Sequence, residues 1–145
     1  MKKLLLSTML MASALGGLAS QGWSRTLAGQ SDWQVKKVEA ETPYCTAART
    51  FEANAVLTLA QNARGEGTVA LDFQRDAFDV TRPYPVLLQV GDATRQYAIK
   101  PASSRVIILR VGNDQPLFRA MRNGSNLDVT IDNEKFSLDI SGYDF

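Results

Sequence analysis

The feature that most limits how this chain can fold is a two-residue rhythm of apolar side chains, repeated in short runs from Asp32 onward. In "TVALDF", Val69, Leu71 and Phe73 fall on one side of an extended chain, with Thr68, Ala70 and Asp72 on the other. That period belongs to a strand and not to a helix. "NLDVTID" turns Leu127, Val129 and Ile131 inward in the same way, and "KFSLDIS" does so with Phe136, Leu138 and Ile140. Between them, Asp132 to Lys135 carry hairpin-turn chemistry.

Further runs at 33–39, 44–51, 55–61, 85–90, 95–100 and 105–111 read as strands. They are joined by the turn-forming stretches "NARGEG", "VGDAT" and "KPASS". "VLL" and "VIIL" are apolar at successive positions, which predicts strands covered on both faces. One segment changes period. In "DQPLFRAMRNGS", Asp114 suits an N-cap, Pro116 a first turn and Gly124 a C-terminal stop, while Leu117, Phe118 and Met121 make an apolar stripe. The spacing predicts one short helix near 115–123. Together these signals specify an all-β fold, an antiparallel β-sandwich or small barrel-like domain of about 8–9 short strands with a single helix.

The N-terminus has a different character. Lys2 and Lys3 precede an apolar stretch from Leu4 to Leu15, and Gly17-Leu18-Ala19 supplies small residues at a cleavage site. This predicts a cleaved signal peptide over 1–19 and a periplasmic or secreted product. The apolar stretch is shorter than the roughly 20 residues a membrane span requires, so no span is expected after cleavage. Residues 20–31 are polar and glycine-bearing and read as a flexible tether, leaving 32–145 as a single β domain. A membrane barrel is disfavoured, because its strands would need about 9–11 residues each.

Charge and residue inventory then remove whole classes of function. Cleavage after Ala19 takes Lys2 and Lys3 from the 16 basic side chains and leaves 14 against 15 acidic ones, a net charge of −1. That balance offers no footprint for nucleic acid and no polybasic membrane patch. The chain has no histidine. Ser-His-Asp and Cys-His catalysis are therefore excluded, as are the common zinc sites, and no cofactor or metal is expected. Its one cysteine, Cys45, lies in "YCTAARTF" with no partner for an internal bridge. It reads as a small buried residue on a strand, with an intermolecular disulfide as the alternative. Arg49 lies roughly 13 Å further along that strand, too far to activate the thiol.

The remaining candidate for function is "RDAFDVTRPYPV". Arg75, Phe78, Arg82 and Tyr84 form a candidate partner-binding loop, because arginine and aromatic side chains are the usual anchors of protein interfaces. The competing reading is a plain connection whose aromatics cap the core. Asp76 and Asp79 could act as paired carboxylates only if the fold set them across a cleft. "NARGEG" lacks the lysine and the glycine count of a phosphate loop and reads as a hairpin tip. Arg95 and Tyr97 are expected on one solvated sheet face, with Lys100 on the other.

Several of these pieces, taken together, look familiar. Trp33-Gln34-Val35 opens the domain, Cys45 follows an aromatic residue, and "LFRAMRNGSNLDVTI" leads to a closing "FSLDISGYD". The pattern resembles the invasion-associated locus B family, small exported proteins chiefly of alpha-proteobacteria. That family tends to carry paired cysteines, and this chain departs from it with Cys45 alone. The resemblance implies a periplasmic, non-enzymatic protein linked to envelope function or host invasion, and it transfers no catalytic residue. The expectation is therefore an exported β domain that binds an envelope or secreted protein. The alternatives are a periplasmic inhibitor of a lysozyme or protease, and a structural subunit of an envelope or secretion assembly.

Overall fold

The computed structural model of the protein describes residues 24–143. The expected signal peptide lies outside the described residues. Ten strands and one α-helix follow in order: β1 Ser24–Leu27, β2 Gln34–Val38, β3 Tyr44–Thr50, β4 Val56–Asn62, β5 Gly67–Asp72, β6 Tyr84–Val90, β7 Ala93–Ile99, β8 Val106–Gly112, α1 Gln115–Asn123, β9 Asn126–Ile131 and β10 Glu134–Asp139. They build two five-stranded sheets, β1-β10-β9-β6-β7 and β2-β3-β4-β5-β8. The result is sandwich-like, with no closed barrel. No helix among the described residues is long and apolar enough to cross a membrane.

Every alternating run read from the sequence forms a strand, and its inward residues are buried. Val69, Leu71, Leu127, Val129, Ile131, Phe136 and Leu138 join one core with Leu57, Leu59, Ile107 and Leu109. That core is the main source of stability, because burying each such side chain is worth roughly 1.5–3 kcal/mol. The expectation that "VLL" and "VIIL" are covered on both faces needs correction. Val86, Leu88, Ile107 and Leu109 are buried, but Leu87 is half-buried and Ile108 is 37% exposed. Each sheet packs on one face only, so the extra apolar residue faces outward.

The tether reading also needs correction at its C-terminal part. Ser24–Leu27 pairs in parallel with β10, in register from Ser24↔Lys135 to Leu27↔Leu138. Backbone pairing with a distant strand orders this polar stretch, and only Leu27 of its four residues is buried. The chain then crosses to the other sheet through a bridge between Gly29 and Phe51.

The two sheets cross steeply. Thr50, Val56 and Asp72 lie side by side across the second sheet. One end of that row bonds Asp139, at the end of β10, through Arg49. The other end packs Phe73 on Phe136, near the start of β10. A row running across one sheet thus follows a strand of the other, which is the crossed mode of sheet packing.

The helix occupies the space that crossing leaves between the sheets. Asp114 caps it by accepting from the Leu117 N–H, and Pro116 sits in its first turn. Leu117, Phe118 and Met121 are its buried residues. Phe118 packs so closely on Gly67 that any side chain at Gly67 would collide with its ring. Gly124 ends the helix in extended conformation, so a left-handed turn is not why glycine stands there. A Cβ at Gly124 would lie 2.9 Å from Val90 Cγ2 and 2.8 Å from the Ala120 carbonyl oxygen. Close approach explains the residue.

Candidate functional site

The loop from Gln74 to Pro83 leaves β5 through Gln74, whose φ of +58° is unusual for a side-chain-bearing residue. Asp72 stabilises the bend by accepting from the Gln74 N–H at 2.8 Å. Arg105 ties the same corner to β8 by donating to Asp72 at 3.1 Å and to the Gln74 side chain at 3.0 Å. Further along, the Ala77 and Phe78 N–H groups both donate to the Ser104 carbonyl. The loop is therefore fastened to the segment leading into β8, at the edge of the second sheet, before it crosses to β6.

The tip of the loop is braced from within. Asp79 accepts from the Thr81 N–H at 2.9 Å and from its hydroxyl at 2.6 Å. Those two donors hold the Asp79 carboxyl below the usual carboxylate range. The Asp79 N–H in turn donates to the Tyr84 hydroxyl at 2.8 Å. This contact satisfies the one polar group of a tyrosine whose ring is buried. Val80, at the tip, is left 49% exposed.

Below the loop lies a cleft of about 320 Å³. Its floor is a chain of aromatic rings in tilted and edge-to-face contact: Phe136 to Phe73 at 5.0 Å, Phe73 to Phe78 at 5.5 Å, and Phe78 to Tyr84 at 5.3 Å. The far wall is the two-residue turn between β9 and β10, where Asp132 adopts a φ of +52° that aspartate tolerates in turns. Arg82 closes one side. Its guanidinium lies 3.7 Å from the centre of the Tyr84 ring and donates to Asp132 at 3.0 Å. Asp132 thereby strengthens Arg82's hold on its proton.

The four residues singled out in the loop, Arg75, Phe78, Arg82 and Tyr84, all line this one cleft. Both readings of the loop meet here: its aromatics do cap the core, and the cap is the floor of a concave surface. Sequence reasoning missed Phe73, Phe136, Asp132 and Glu134 as members of the site. The hairpin signal at 132–135 was visible, but nothing local places that turn beside a loop some 50 residues away.

The other candidates resolve differently. Asp76 accepts from the Ser104 hydroxyl at 2.5 Å and Asp79 is held by Thr81, and neither carboxylate lines the cleft. "NARGEG" is a hairpin tip, closed by the Asn62 side chain accepting from the Arg64 and Glu66 N–H groups. Arg95 and Tyr97 share a face, yet Arg95 is no solvated charge. It forms a two-pronged bond to Asp114 at 2.6 and 3.1 Å, which lowers the Asp114 pKa and ties the helix cap to β7. Among the described residues, no three acidic or thiol groups converge as a metal site requires.

Cys45 contradicts its expected burial: it is exposed. It shares a face with buried Ala47 two residues along, and pairs between Lys37 and Gln61. This corner of the second sheet extends past the cover of the first. Val35, on the same face, is 57% exposed for the same reason.

No protein-family model matches the chain, and no curated protein matches it by sequence. Among solved structures it is similar to the crystal structure of invasion associated protein B from Bartonella henselae, with a TM-score of 0.50 and 19% identity. The match covers 71% of this chain and 75% of that one. The likeness is one of fold. It supports the resemblance read from "LFRAMRNGSNLDVTI" at that level.

Proposed function

We propose that this chain is an exported, non-catalytic β domain of the bacterial cell envelope that binds a protein partner through the cleft beneath the 74–83 loop. The observation that carries the reading is the convergence of Arg75, Phe78, Arg82 and Tyr84 on one concave surface. Aromatic and arginine side chains around a small apolar floor are what protein hot spots use. The absence of histidine weighs against most nucleophilic chemistry, because the chain holds no imidazole to serve as general base. The name of the fold neighbour extends the proposal to a role in host invasion.

The test is affinity capture from an envelope extract by the folded protein, with captured species identified by mass spectrometry. A partner held at fixed stoichiometry by the wild type and by Arg110→Ala, but released by Phe78→Ala, supports the reading. Arg110 is the control because it lies on the open face of the other sheet, away from the cleft. Equal capture by Phe78→Ala sinks the reading.

The bracing of residues 79–84 favours a second reading, an inhibitor that inserts this loop into the active site of a lysozyme or protease. A loop ordered in advance loses little entropy on binding. Here the Val80 tip would make the contact. Inhibition lost in Val80→Asp and kept in Arg75→Ala would single out this alternative.

A further inference from the structure

The charges around the cleft are unequally satisfied. Arg82 is matched by Asp132 at 3.0 Å, and Glu134 by Arg25 at 3.6 Å. Both acidic groups of the wall thus already face a cation. Arg75 lines the same cleft, is exposed, and has no hydrogen-bond or ion-pair partner among the described residues. One uncompensated positive charge stands over an apolar floor.

Each half of that arrangement selects a different feature of an occupant. The half-buried ring of Phe78, backed by the buried rings of Phe73 and Phe136, offers an apolar surface to a flat or branched side chain. A guanidinium with all its donors open prefers a carboxylate, which it can grip with two parallel bonds. The volume, about 320 Å³, is small for a ligand pocket and suited to an inserted side chain.

We infer that the occupant is a peptide segment of a partner protein that inserts one aromatic or large aliphatic side chain against Phe78 and Phe136 and lays a neighbouring Asp or Glu carboxylate on Arg75. This rests on the reading of the cleft as the partner site and gives that partner a chemistry. The rest of the rim adds little charge of its own. A basic-apolar segment would meet Arg75 and Arg82 together and be repelled.

The experiment is panning of a random-peptide phage library on the wild-type protein, on Arg75→Glu and on Trp23→Ala. Selected peptides are then synthesised and titrated by fluorescence anisotropy. The wild type is expected to enrich peptides with Trp, Phe or Leu next to Asp or Glu. Arg75→Glu should weaken those peptides by about tenfold or more and reverse the enriched charge to Lys or Arg. Phe78→Ala should weaken peptides of either charge.

Wild-type enrichment without charge preference, or unchanged affinity in Arg75→Glu, overturns the inference. So does enrichment in Trp23→Ala alone, which would make the chain's own segment ahead of β1 the occupant. So does equal affinity for N-acetyltryptophan, which would make it a small-molecule site. In each case, capture of a protein partner that depends on Phe78 would still leave the broader reading standing.

Discussion

The two ends of β10 are built on opposite terms. At its end, Arg49 donates to the carbonyls of Ser31 at 2.9 Å and Asp139 at 3.0 Å, and the Trp33 indole donates to Ser141 at 3.0 Å. Trp33 also packs on Tyr143 at 5.5 Å, and the Arg49 guanidinium lies over both Trp33 and Phe51. Every strong group of this clamp is engaged within the protein. At the start of β10, Phe136 instead floors an open cleft, and Arg75 has no partner among the described residues. The same residue types, aromatic and arginine, close a clamp at one end and line an open cleft at the other. An arginine whose charge is unspent, such as Arg75, is stronger evidence of a binding surface than one already paired.

The contrast can be broken most directly by truncating an aromatic at each end. Phe51→Ala, at a fully buried ring beside the clamp, should cost about 4 kcal/mol by urea denaturation. Phe78→Ala, at a half-buried ring in the cleft, should cost about 1–2 kcal/mol while abolishing partner capture. Equal costs would mean that the cleft floor is ordinary core.

Arg49→Ala comes next. Its side chain is 15% exposed, and its loss leaves the carbonyls of Ser31 and Asp139 without their donor. We expect about 3 kcal/mol, with faster amide exchange in residues 29–33 and 139–143. Gly29→Ala should cost less, about 1–2 kcal/mol, because the new methyl collides with the Arg49 guanidinium and displaces it without removing it. A Gly29→Ala effect in an Arg49→Ala background as large as in the wild type would disprove that route.

Acid provides a gentler probe of the clamp. The Ser141 hydroxyl and N–H donate to the Asp139 carboxylate and hold its pKa below the usual carboxylate range. A group with a depressed folded pKa stabilises fully above its unfolded value and loses that contribution as pH falls through the folded one. The denaturation midpoint should therefore decline below about pH 4, and less steeply in Asp139→Asn. The smallest effect is expected from Arg75→Ala, which should leave the midpoint unchanged and alter only binding. A measurable loss of stability there would show that Arg75 is held within the protein after all.

Nine of the ten strands and the helix were legible as runs, because alternation, caps and turn residues act over a few positions. β1 was not legible. Its "SRTL" has no apolar rhythm, and it is ordered by pairing with β10, more than 100 positions further along the sequence. The loop residues of the cleft were legible as a cluster of interface-type side chains, but their wall and part of their floor were not. Cys45 failed for a related reason: its place on a strand was read correctly, but whether anything covers its side of that strand is not a local property.

Local pattern alone settled nine strands, the helix and its cap, and the inward residues of the alternating runs, since each depends on side chains a few bonds apart. Tertiary structure decided the crossing of the sheets, and with it the joining of Arg82 to Asp132, the open corner at Cys45 and the unmatched charge of Arg75. Which charges find partners is set by which strands overlie one another, and that follows from how two twisted sheets bury their apolar faces together.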